Sequence, residues 1–113
     1  MYKRQIKDLV IRGGENIGCG EVEAALLEHP LVKEASVYAL PDQRLGEEVG
    51  TTLYVSSSVT ESELSGFLQE RLAKFKIPRY IHQQQTPLPR TASGKILKRD
   101  LREEACQRLG LTQ

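Results

Sequence analysis

ASVYALPDQRLGEEVGTTLYV (residues 35–55) is the stretch that decides the fold. Ala35, Val37 and Ala39 alternate with Ser36 and Tyr38, which reads as a half-buried strand with the first set inward. PDQRLGEE (41–48) carries Pro, Asp and Gly and reads as a turn. In VGTTLYV, Val49, Thr51, Leu53 and Val55 then share one face, so the chain continues as a second strand whose other face is mixed.

Outward from this centre, the neighbouring segments add helices. DLVIR (8–12) is a short apolar run ending at Gly13-Gly14, a strand entering a tight turn, with a helix expected beyond it. In GEVEAALLEHP, Val22, Ala25, Leu26 and Leu27 form an apolar face, Glu21 and Glu23 occupy the first turn, and Pro30 ends the helix after His29. Thr60 and Glu63 form a capping box, with Val59 and Leu64 as its hydrophobic staple. Leu64, Phe67, Leu68 and Leu72 line the helix that follows, expected to run to about Lys74. RYIHQ, after Pro78, is a weak edge strand. Leu97, Leu101, Ala105 and Leu109 recur every four residues in a last helix, which Gly110 ends. No regular βαβ repeat appears. The expectation is a small α+β domain, with a short mixed or antiparallel sheet flanked by about three helices.

A chain of 113 residues supports one core, burying roughly 60–70% of its unfolded surface. Its net charge of +1 excludes a global polyanion-binding excess, so any basic preference is local, and Arg90 to Arg102 is the only dense basic stretch. Asp100, Glu103 and Glu104 interrupt it, which favours a solvated helix face over a nucleic-acid binder. Cys19 and Cys106 form neither a zinc spacing nor a disulfide framework, and they suit a reducing cytosol. No apolar run approaches the ~20 residues of a membrane span.

TASGKILKRDL (91–101) invites a phosphate-loop reading, but Pro89 stands at the first glycine and Ile96 replaces the magnesium-binding hydroxyl. What remains is Lys95 on a mobile loop just before a helix N-terminus, where an anion is favoured. Such an ammonium suits an oxyanion or phosphate in a partner's cleft; a solvated surface lysine is the plain alternative. Gly13 and Gly14 permit close approach of the backbone to a ligand, or serve only as a turn. AKFKIPRY (73–80) sets cations beside Phe75 and Tyr80, which fits a nucleotide base and its phosphates, or a helix-to-strand link with snorkelling lysines. His29 and His82 lack a carboxylate or cysteine partner at useful spacing and read as incidental.

Five stretches in order, IKDLVIRGGENIG, EVEAAL, ALPDQRLGEEV, AKFKIPRY and LPRTASGKILKRDLRE, resemble the C-terminal domain of the adenylate-forming enzymes, and within them the AMP-forming acyl-CoA synthetases. The resemblance covers residue 6 to about 105. It implies a two-step reaction: a carboxylic acid attacks the α-phosphate of Mg-ATP, the small domain rotates, and the thiol of CoA displaces AMP. On that pattern Lys95 is the adenylation lysine, touching carboxylate and α-phosphate oxygens in an electrostatic role. Lys7 and Asp8 fall at the hinge. Gly13, Gly14 and Glu15 match the pantetheine-tunnel turn, and Phe75, Lys76 and Arg79 the CoA nucleotide surface. ATP and CoA are the implied substrates, with Mg2+ held mainly by the large domain and no metal site in this chain.

Three departures from the family pattern stand out. Nothing here resembles the large N-terminal adenylation domain, so the chain is expected to be inactive alone, its principal partner being that domain. Cys19-Gly20 replaces a frequent proline-containing pair, and Gln5 an arginine of the hinge motif. MYKRQ (1–5) is expected to be a translated sequencing-adaptor end, GTG-TAT-AAG-AGA-CAG, with the domain proper at 6–113. The alternative is a free-standing module that docks on a separate adenylation subunit or acyl carrier. Either way a cytoplasmic location is expected, with no nucleic-acid partner.

Overall fold

The computed structural model describes residues 8–111. The expected adaptor segment 1–5 and the hinge candidate Lys7 lie outside the described residues. In chain order the elements are β1 (Leu9–Arg12), β2 (Glu15–Gly18), α1 (Cys19–Leu27), β3 (Val32–Asp42), β4 (Gly46–Val55), α2 (Glu61–Gln69), a 3₁₀ turn (Lys74–Lys76), β5 (Tyr80–Gln84) and α3 (Lys98–Leu109). The domain is α+β, a five-stranded mixed sheet flanked by three helices.

The central pair is β3 with β4, antiparallel from Val32↔Val55 to Asp42↔Gly46. The turn is narrower than the sequence implies, because Pro41, Asp42 and Gly46 to Glu48 all continue the ladder. Asp42 Oδ1 closes it by accepting the N–H groups of Arg44 and Leu45 at 2.9 and 2.8 Å. On its other edge β4 meets β1 at Gly46 and pairs in parallel with β5 from Gly50 to Tyr54. RYIHQ is thus the expected edge strand.

Gly13-Gly14 joins two strands rather than a strand and a helix. Arg12 pairs with Glu15, leaving a two-residue hairpin in which Gly13 and Gly14 have φ of 55° and 89°. Positive φ at both central residues is the geometry that matches strand twist in a tight hairpin, and glycine adopts it without a Cβ penalty. β2 escaped the sequence reading because Ile17 is its one fully buried apolar residue, too little for an alternation to show. Helix α1 then starts at Cys19, earlier than expected, with its first N–H held by the Asp8 carbonyl at 3.0 Å.

Strand β3 is covered on both faces, not one. Val37 joins Val10, Ile17, Leu26, Leu53, Leu64 and Leu68 in the main core under α1 and α2. Tyr38 and Leu40 join Leu88, Leu101, Ala105 and Cys106 in a second core under α3. The small inward set is therefore only half of the strand's buried surface. Gly50, opposite Tyr38, is fitted to that second core, since a Cβ there would lie 2.6 Å from Leu40 Cδ1.

Two helix ends differ from expectation. α2 stops at Gln69, five residues short of Lys74. Arg71 explains this, because its guanidinium donates to the Phe67 carbonyl at 3.0 Å and to Glu28 at 2.9 Å, taking a carbonyl the next helical turn would use. Thr60 Oγ1 accepts the Glu63 N–H at 3.1 Å as a cap should, but the Glu63 carboxylate turns instead to His29 Nε2 at 3.1 Å. Leu27 also points outward, leaving Val22, Ala25 and Leu26 as the packed face of α1. Gly110, with φ 72°, ends α3 as expected, and Leu111 N–H returns to the Cys106 carbonyl at 2.9 Å.

Candidate functional site

Lys95 is exposed, and among the described residues only its backbone is engaged. The loop that carries it is not loose. Arg90 and Ile96 form an antiparallel bridge, Thr91 N–H donates to the Lys95 carbonyl at 2.7 Å, and Lys95 N–H donates to Thr91 Oγ1 at 3.1 Å. Gly94, with φ 94°, makes the reversal. The mobile loop expected from SGK is thus a closed one-lysine tip, with Leu97 N–H pinned to the Pro89 carbonyl at 2.9 Å.

Arg90 braces the tip from below. One guanidinium nitrogen donates to the Gly94 carbonyl at 2.6 Å, and another meets Glu34 on β3. Glu34 also accepts the Leu88 N–H at 2.9 Å. Burial alone would raise the Glu34 pKa, but the Arg90 hydrogen bond, the Leu88 N–H and the Arg90 charge outweigh it and hold the carboxyl below its ordinary range. Sequence spacing carried no signal for this partner.

A second brace stands where the loop becomes a helix. Lys98, the first residue of α3, donates to Asp8 at 2.7 Å and lies 2.9 Å from Glu23 of α1. Desolvation would lower the ammonium pKa, yet the hydrogen bonds to these two carboxylates raise it above the usual lysine value. Cys19 beside them is buried, which pushes its thiol up to about 12 and leaves it unreactive.

The hairpin tip lies elsewhere on the sheet. Gly13, Gly14 and Glu15 are exposed, and Gly13 N–H donates to the Leu45 carbonyl at 2.9 Å, tying this tip to the β3–β4 turn. A Cβ on Gly13 would come within 3.1 Å of Leu45 Cδ2, whereas one on Gly14 would meet nothing within 4 Å. Arg12, just before the tip, donates through Nε to the buried Glu48 carboxylate at 2.8 Å.

The remaining candidates do not converge on one point. Lys76 is paired with Glu21 at the start of α1, at 3.0 and 3.1 Å, and lies 5.7 Å from the Phe75 ring. Arg79 lies 5.5 Å from the Tyr80 ring and lines a hollow of about 160 Å³ with Tyr80, His82 and Arg108. Among the described residues no three His, Cys, Asp or Glu side chains gather as a metal site.

His29 is the clearest revision. It has a carboxylate partner after all, Glu63, thirty-four positions away. Its Nδ1 accepts the Leu31 N–H at 3.1 Å, and its ring stands edge-on to Phe67. Buried and doubly bonded, it staples the end of α1 to the start of α2.

Residues 21–95 match the family described as the AMP-binding enzyme C-terminal domain, a match that ends on Lys95. The chain belongs to this family. It is 48% identical over 96 residues to the 2-succinylbenzoate–CoA ligase of Bacillus velezensis, covering 85% of this chain and 20% of that protein. It is 44% identical over 107 residues to the mitochondrial medium-chain acyl-CoA ligase of Mus musculus, covering 93% and 17%. Among solved structures it resembles a double mutant of o-succinylbenzoate CoA synthetase from Bacillus subtilis, with TM-score 0.81, 40% identity, and 88% and 20% of the two chains covered. It also resembles the Mycobacterium tuberculosis fatty acyl CoA synthetase, with TM-score 0.82, 33% identity, and coverage of 89% and 20%. The chain thus spans about a fifth of the length of these relatives. It is the C-terminal domain of a member of the AMP-forming acyl-CoA and acyl-adenylate ligase superfamily.

Proposed function

We propose that this domain works as the moving part of an AMP-forming acyl-CoA synthetase, joined to a large adenylation domain that holds the acid, ATP and Mg2+. In the first half-reaction a carboxylate oxygen of the acid attacks the α-phosphorus of ATP, and pyrophosphate leaves. Lys95 presents its ammonium to the oxygens on which negative charge gathers, stabilising the transition state without itself giving or taking a proton. In the second half-reaction the CoA sulfur attacks the acyl carbon of the adenylate, and AMP leaves. The hairpin tip at Gly13 and Gly14 then lines the passage of the pantetheine arm, with Glu15 at its edge and Phe75, Lys76 and Arg79 toward the nucleotide.

The observation that carries this reading is the Lys95 tip itself. A braced loop holds one exposed ammonium outward, engaging only its backbone within the described residues. That arrangement suits a group delivered to a site on another body. The glycine tip and the lysine tip stand on separate loops, so turning the domain presents one or the other. The ligase names of the relatives support CoA as the thiol acceptor.

The test fuses the chain to the large domain of the Bacillus velezensis ligase and measures pyrophosphate release and thioester formation separately. Lys95→Ala is expected to lower the first by about a hundredfold to a thousandfold while sparing the second from supplied acyl-adenylate, and Gly14→Leu to impair the second while sparing the first. Loss of both halves in both variants would overturn the reading.

A further inference from the structure

The Lys98 cluster is used by none of the steps above, yet it joins three parts of the fold. Asp8 stands immediately before β1, Glu23 lies on α1, and Lys98 opens α3 three residues after Lys95. Glu23 Oε2 also accepts the Val37 N–H at 2.8 Å, so the cluster is anchored to the central strand. The Asp8 carbonyl in turn holds the first N–H of α1 at 3.0 Å. One ammonium between two carboxylates is a charge-assisted link, stronger and more directional than a neutral hydrogen bond.

From this geometry we infer that Lys98 is a positioning residue, fixing the Lys95 tip to the segment through which the domain is joined to its large partner. The inference rests on the proposed role of Lys95 as the delivered group and of Asp8 at the hinge. Lys98 touches no substrate. It makes the start of α3 and the entry to β1 one rigid piece, so that a turn at the hinge moves the lysine tip by a fixed amount. Arg90 sets the shape of the tip, and Lys98 sets its place. Without Lys98, two carboxylates face each other and the start of α3 loses its link to Asp8 and Glu23, keeping the Arg102 bond to the Ala39 carbonyl at 2.6 Å and its packing in the second core.

Two measurements test this. In the 113-residue chain, amide hydrogen exchange is followed for Lys98→Met, for Lys98→Met with Glu23→Gln, and for Lys98→Arg. The double variant removes the link while relieving the carboxylate repulsion, and Gln keeps an oxygen for the Val37 N–H. The amides of Gly94, Lys95 and Leu97 are expected to exchange about tenfold faster in both Met variants, with β3 and β4 unchanged and Arg restoring the native rates. In the fusion, both Met variants are expected to lose about tenfold in pyrophosphate release and to keep thioester formation from supplied acyl-adenylate within about twofold. Unchanged loop amides in the double variant, equal acceleration throughout the chain, or equal loss of both half-reactions would overturn the inference. Lys95→Ala in the same fusion separates the two ideas: if it leaves pyrophosphate release intact the assignment of Lys95 fails, while the exchange rates still decide whether Lys98 holds the loop.

Discussion

Arg90 and Glu34, fifty-six positions apart, form an ion pair beneath the loop that presents Lys95. Arg90 is half-exposed, so the pair contributes little to global stability, about 0–1 kcal/mol. Its effect is local, because the same guanidinium holds the Gly94 carbonyl. Arg90→Met is therefore expected to lower the unfolding midpoint only slightly while reducing acyl-adenylate formation about tenfold in the fused enzyme. Urea denaturation and pyrophosphate release check the two halves of this statement.

The same pair gives a pH dependence. The Glu34 pKa is depressed in the folded chain, so its contribution is fully present above the ordinary carboxylate value of about 4.3 and is lost as pH falls through the lower folded value. Wild type and Glu34→Gln are expected to differ in stability by a constant amount between pH 7 and pH 5. The difference should shrink below about pH 4.3, as read by urea midpoints across that range.

His29→Ala is expected to cost about 2–4 kcal/mol, although sequence spacing marks the residue as incidental. The substitution leaves the part-buried Leu31 N–H without its acceptor and opens a void where the buried ring stood beside Phe67. Both half-reactions should scale together with the folded fraction, which denaturation curves and the two assays compare directly.

Arg12→Met is expected to be far more costly than Arg90→Met, at about 3–5 kcal/mol. Glu48 is fully buried, and removing its only cationic partner among the described residues leaves an uncompensated carboxylate in the core. The difference in unfolding free energy between the two arginine variants is the readout.

Gly14→Leu separates fold from function at the hairpin tip. No atom lies within 4 Å of a Cβ at Gly14, so the substitution meets only its φ of 89°, a strain of about 1–2 kcal/mol. A loss of thioester formation beyond what that strain explains measures contact with the pantetheine arm, and acyl-adenylate formation should persist.

Much of this was legible in the residues because the signals were local. The alternations in 35–39 and 49–55, Thr60 as a cap, Gly110 as a stop and Lys95 before a helix are all patterns within a few positions. Strand β2 was hidden because one inward residue makes no pattern, and its glycine turn read equally well as an entry to a helix. The second core was hidden because Tyr38 looks solvent-facing until α3 returns from the far end of the chain to cover it. The ion pairs that tie the lysine tip to the rest of the fold are long-range, through Glu34, Asp8 and Glu23, and no spacing rule connects residues so far apart. The family pattern pointed to the lysine proposed to act. It said nothing about what holds it.

The most direct measurement is single-turnover pyrophosphate release from the fused enzyme carrying Lys95→Ala, set beside thioester formation from supplied acyl-adenylate. Loss of an aligned charge at a developing oxyanion predicts a fall of about a hundredfold to a thousandfold in the first, with the second within about twofold of wild type. Pyrophosphate release at the wild-type rate, or an equal fall in both reactions, would contradict the assignment of Lys95 as the group this domain delivers.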